Sequence, residues 1–200
     1  MIKKRGMFFC LENVEYDSIS NLTDNLKLSF KNQLKIMTIN DMPTDKEKVK
    51  QVKEIESKST KMGKRAKHML YAMERWKKRE EILKEIDRGV SVIIINYCFK
   101  EISEAVCDDL DLQWGKTHYT GLIRPDKVIY FDKQNLITQY FGNYKYMTKL
   151  EQNTMKCLIE EIESNLIDLL KDYNKPTTDE FTKNFYPNSI GEDLFMYQDI

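Results

Sequence analysis

Four cysteines and two histidines are the side chains of this 200-residue sequence best suited to metal or thiol chemistry. Cys10, Cys98, Cys107 and Cys157 form no CxxC pair and no metal-ligand spacing. In a chain without such pairs they read as buried thiols rather than a zinc or redox centre. His68 and His118 stand alone in sequence and read as surface or satisfied histidines, not as ligands. Charge is the next candidate. From Lys46 to His68 there are nine Lys or Arg against three Glu, in a chain of zero formal net charge. Two readings stand, a solvated helical face or a basic patch facing an acidic partner.

The elements that must position these groups alternate. Gly6 to Leu11 is a buried strand, Asn21 to Phe30 carries Leu22, Leu26 and Phe30 at helical spacing, and Leu34 to Ile39 is a second strand. Met69 to Ile86 repeats apolar residues at helical spacing, and Arg88-Gly89 closes that helix. Val90 to Ile95 is a β-branched run suited to a parallel strand covered on both faces. Glu101 to Leu112 reads as a helix, Val128 to Phe131 as a fourth strand, and Met147 to Leu170 as one long helix. Trp76 and Trp114 are expected in the core. Four strands separated by helices predict a single α/β domain over 1–200, a doubly wound parallel sheet that binds ligands beyond the carboxyl ends of its strands. With no net charge and no apolar run of about 20 residues, neither nucleic acid nor membrane is indicated, and the chain reads as soluble and intracellular.

Several blocks, taken in order, resemble the thymidylate kinases, in particular the eukaryotic and poxvirus type. Arg5-Gly6 opens the first strand, which ends Leu11-Glu12-Asn13-Val14-Glu15, similar to that family's Leu-Glu-Gly-Val-Asp. Leu70 to Trp76 is similar to Leu-Phe-Ser-Ala-Asn-Arg-Trp. Leu110 to Trp114, then Gly121-Leu122-Ile123-Arg124-Pro125-Asp126 and Val128 to Asp132, resemble the segment ending Gly-Leu-Pro-Lys-Pro-Asp-x-Val-Ile-Phe-Leu. The tail at Ile190 to Phe195 resembles the terminal Gly-Glu-Leu-Trp.

The resemblance implies a P-loop nucleoside monophosphate kinase fold and a nucleoside pocket. In that pocket Tyr71 stacks on the base, Arg75 hydrogen-bonds it, Glu15 lies near sugar and phosphates, and Tyr146 and Gln152 close the site. Pocket and packing roles remain open for Tyr71 and Arg75. The chemistry is where the sequence departs. A P-loop is Gly-x4-Gly-Lys-Ser/Thr, with amides that cradle phosphates and a Lys that reaches the β/γ oxygens. The aligned stretch is Asn13-Val14-Glu15-Tyr16-Asp17-Ser18-Ile19-Ser20. Asn13 and Ser18 replace glycines, Ile19 replaces the Lys, and Ser20 keeps the magnesium position. The Asp-Arg-Tyr after the third strand becomes Ile95-Asn96-Tyr97, the phosphate arginine's loop becomes Met42-Pro43-Thr44-Asp45, and the lid keeps only Lys145.

The resemblance thus implies a pseudokinase with no cofactor and no metal, acting as a binding or scaffolding subunit. Its expected partners are a second copy or another protein, with weak dTMP or thymidine binding. The alternatives are an active dTMP kinase using Mg·ATP with relocated charges, and a nucleotide sensor without turnover.

Overall fold

The computed structural model describes residues 5–14, 19–39, 46–57, 60–131, 139–140, 147–150, 161–168 and 170. Five strands form one parallel sheet in the order β2-β3-β1-β4-β5. They are β1 (Phe8–Glu12), β2 (Leu34–Thr38), β3 (Ser91–Ile95), β4 (Lys127–Phe131) and β5 (Met147–Leu150). The helices are α1 (Ser20–Phe30), α2 (Lys46–Ser57), α3 (Lys61–Asp87), α4 (Phe99–Cys107) and α5 (Leu112–Thr117). Among the described residues no helix is long and apolar enough to cross a membrane.

The period of two along the strands sorts the core into two layers. Phe8, Cys10, Val92, Ile94, Val128 and Tyr130 point to one face, where Ala72, Ile82 and Ile86 of α3 and Phe99 and Ile102 of α4 cover them. Phe9, Leu11, Ile93, Ile95, Ile129 and Phe131 point to the other, against Leu22 and Leu26 of α1 and Ile162, Leu166 and Leu170. All five residues of β1 and all five of β3 are buried, as central parallel strands require.

Two glycines make the join between α3 and the sheet. Gly89 has φ 86°, and its N–H donates to Ile86 O at 3.0 Å, ending the helix as the Arg88-Gly89 pair predicts. Gly6 donates to the same carbonyl at 2.6 Å, and a Cβ there would lie 2.0 Å from Val90 O. Only glycine lets the two backbones approach so closely. Asp126 then pins the head of β1, taking the Phe8 N–H at 2.8 Å and both terminal nitrogens of Arg5 at 2.5 and 3.0 Å.

Three expectations need correction. Met147 to Leu150 is not the start of a long helix but strand β5, parallel to β4, with helical residues following at 161–168. The Glu101 to Leu112 helix ends at Cys107, where Asp109 turns left-handed at φ 61°, and Asp111 caps a new helix by accepting from Trp114 N at 2.9 Å. Neither tryptophan is core. Trp76 is 41% exposed, its indole N–H spent on His118 O at 2.9 Å, and Trp114 is half-buried with Arg65 over its ring.

Candidate functional site

β1 and β3 end side by side at the carboxyl edge of the sheet, and the chain turns left-handed at both ends. Asn13 has φ 60° and Asn96 has φ 59°. Asparagine tolerates this region better than most residues, so Asn13 makes the turn without a glycine. The two turns are stitched together. Asn96 Nδ2 donates to Val14 O at 2.9 Å, and Val14 N donates to Asn96 Oδ1 at 3.3 Å. One side-chain amide thereby pairs with the backbone of Val14 as a neighbouring peptide would. Asn13 Nδ2 donates to Phe131 O, fixing the same loop to the end of β4.

Beyond this loop, Ile19 precedes α1 and is 2% exposed, in the core layer with Leu22 and Leu26. Its side chain lies among apolar groups. Ser20 is half-buried at the first turn of α1.

A buried charge cluster stands under the other side of the edge. The Glu12 carboxylate is wholly buried and accepts from the N–H groups of Cys98 at 2.8 Å, Phe99 at 3.4 Å and Lys100 at 3.2 Å. It is an internal anion at the N-terminus of α4. Burial raises its pKa, and the three N–H groups and Arg75 only partly offset that. Arg75 is also wholly buried. Its guanidinium donates to the carbonyls of Tyr97, Tyr71 at 2.9 Å and Asn96 at 3.3 Å, and lies 3.7 Å from Glu101 Oε1. Tyr71, one turn earlier, is 8% exposed with its ring edge-on to His68.

The cluster extends to the start of α3. His68, 4% exposed, has Nε2 at 3.0 Å from Asp108 Oδ2 and Nδ1 at 4.0 Å from Glu101 Oε2. Lys67 reaches Asp108 at 2.7 Å. Burial lowers the His68 pKa from its ordinary 6.5, outweighing the opposing bond to Asp108. As pH falls through 6.5, the unfolded chain takes up a proton at His68 that the folded chain refuses, so acidification favours unfolding. Glu12, with its raised pKa, acts with the opposite sign. Urea midpoints at about pH 7.5 and about pH 5.5 should show the native chain weaker at the lower pH, with His68→Gln flattening the difference. An unchanged slope in that variant would remove His68 as the cause.

The fold thus gathers Asn13, Ile19, Ser20, Tyr71 and Arg75 along one edge of the sheet. Glu15, Ser18, Tyr146 and Gln152 lie outside the described residues, as do Asp17, Met42 to Asp45, Asp132, Lys145 and the tail at Ile190 to Phe195. Sequence reasoning passed over Glu12, Glu101 and the stitching by Asn96. A lone acid closing an apolar strand was the available signal for Glu12.

The fold is that of the P-loop nucleoside monophosphate kinases, an α/β class. Among solved structures, thymidylate kinase from Candida albicans aligns with a TM-score of 0.60 at 15% identity, over 85% of this chain and 94% of that one. Thymidylate kinase from Ehrlichia chaffeensis aligns at 0.53 and 12%, over 84% and 99%. No family model matches the chain. By sequence it is similar to several thymidylate kinases. It is 25% identical to the Dictyostelium discoideum thymidylate kinase over 165 residues, 79% of this chain and 73% of that protein. With the Schizosaccharomyces pombe thymidylate kinase it shares 34% identity over 77 residues, covering 38% of this chain and 37% of that protein.

Proposed function

We propose that this thymidylate-kinase-like chain has lost phosphoryl transfer and serves as a binding or scaffolding subunit. The observation that carries the reading is Ile19. Phosphoryl transfer rests on positioning and on cations at the transferring group. The residue at the lysine position is apolar and only 2% exposed, within the core layer. The loop itself supports the same reading. Val14 N–H, an amide of the stretch that would cradle phosphate, is already taken by Asn96 Oδ1. The described residues therefore fit a triphosphate poorly. Losing even one donor to the transition-state charge costs on the order of 10²–10³ in rate. A vestigial nucleoside pocket at Tyr71 and Arg75, with Glu15, Tyr146 and Gln152, belongs to the same proposal. So does assembly with a second copy or with another protein.

Kinship with the thymidylate kinases favours one competing reading, an active dTMP kinase whose cations come from elsewhere. A coupled assay of ADP formation from Mg·ATP with dTMP separates the two. No dTMP-dependent ADP is the expected result. Steady turnover abolished by Ser20→Ala would overturn the proposal.

A further inference from the structure

Tyr71 and Arg75, the described residues of the proposed base pocket, are both shut in. Each of the three guanidinium nitrogens of Arg75 donates to a backbone carbonyl, and Tyr71 turns its ring edge-on to His68. The wall that faces them comes from α4. Glu101 is 1% exposed, with Oε1 3.7 Å from Arg75 and Oε2 4.0 Å from His68 Nδ1. A buried ion pair is often no better for stability than apolar groups of the same volume, so stability alone is a weak reason for an acid here.

Two polar atoms around this carboxylate are left over. His68 Nδ1 and the hydroxyl of Tyr119, just past α5, are buried and make no hydrogen bond among the described residues. Burial holds the Tyr119 pKa well above its ordinary range, and the charges of Arg75 and Glu101 also act on it. Buried tyrosine hydroxyls normally find a partner. Converging polar groups, two of them without hydrogen bonds, are the lining of a polar ligand pocket, here with a side chain of the protein inside it.

We infer that Glu101 is an internal occupant of this pocket, its carboxylate holding Arg75 in the place of a nucleoside base and so keeping nucleosides out. The inference deepens the proposed vestigial pocket and rests on that reading of Tyr71 and Arg75. The competition favours the side chain. A base offers Arg75 a neutral carbonyl, whereas Glu101 offers an ionised acceptor, and charge-assisted bonds are roughly twice as strong. The occupant is also tethered and has no association entropy to lose. The opposite role, Glu101 as acceptor for a ring N–H of the base, fits less well. Its two oxygens already face Arg75 and His68.

The test is calorimetry with thymidine alone, without Mg·ATP, on the full parent chain, Glu101→Ala and Glu101→Gln. The parent should show no saturable binding at millimolar thymidine. Glu101→Ala should bind at least about tenfold tighter than the parent's detection limit, because apparent affinity scales with the open fraction. Glu101→Gln keeps the size of the side chain but is a weaker acceptor, so it should fold as the parent does and gain by a smaller factor. It carries the test if Glu101→Ala does not fold. 2-Deoxyribose, which lacks the base, should bind none of the three chains. Saturable binding by the parent, whether it weakens or persists in the variants, overturns the closure and leaves the pocket standing. A gain in neither folded variant overturns closure and pocket together. The ADP assay is separate. No ADP from a parent that binds thymidine leaves the loss of phosphoryl transfer standing without the closure, and ADP release from a parent that ignores thymidine does the reverse.

Discussion

Arg75→Ala should lower stability by about 3–5 kcal/mol, read from urea unfolding, because it breaks a buried ionic cluster on one side only. The side chain is wholly buried, and its fork ties α3 to the turn after β3 through the carbonyls of Asn96 and Tyr97. Removing it strands those carbonyls. It also leaves the carboxylates of Glu12 and Glu101 buried without their guanidinium. Desolvated anions without a cation resist ionisation, so the folded-state pKa of Glu12 should climb further. A carboxyl whose pKa is raised by folding weakens the fold as pH rises through that value. The gap between variant and parent should therefore narrow on acidification. Arg75→Lys should fall between, since a lysine keeps the charge but cannot reach several carbonyls in one plane. A loss below about 1 kcal/mol for Arg75→Ala would mean that the fork is not a brace. A full loss would show a side chain committed to the fold, whatever it also offers to a base.

Ile19→Lys restores only the lysine of the phosphate-binding motif and should yield a weaker, inactive protein. The residue is 2% exposed, among Phe9, Leu11, Leu22 and Leu26. An ammonium cannot be left there unpaired, so the side chain must bend out toward water and give up the apolar contacts of the isoleucine. We expect a loss of about 3 kcal/mol in urea and no ADP in the coupled assay. Asn96 would still hold the Val14 amide. Gain of ATP binding by calorimetry with stability intact would show that the loop needs only its cation.

Much of the fold was legible in the sequence because its central strands are continuous apolar runs and α3 ends on a strong signal. Gly89 stops α3 where the Arg88-Gly89 pair places the stop. The misreadings share a physical cause. Periodicity alone does not separate a short strand from the first turn of a helix, and Met147 to Leu150 pairs with β4 through backbone bonds that no side chain announces. Asp109 carries the break after α4, although a left-handed aspartate is far less visible than a glycine. At the candidate site the sequence offered only departures from a resembled pattern. What stands in its place was not legible. Asn96 reads as a missing arginine in sequence, and only the folded chain shows its amide paired with Val14. Arg75 reads as either ligand or brace, and it is the carbonyls brought from distant turns that show how its fork is used.

The order of strands across the sheet differs from their order of synthesis. β1 leaves the ribosome first, yet its neighbours are β3 and β4, with Phe8 beside Val92 and Phe9 beside Lys127. Chain elongation at about 5–20 residues per second keeps Phe8 to Glu12 without lateral partners for several seconds or more. During that time five side chains that end up fully buried have nothing native to pair with. Closing such distant contacts is slow even after release, because loop entropy must be overcome before any ladder bond forms. The native place of the first strand is therefore empty of partners until β3 and β4 emerge.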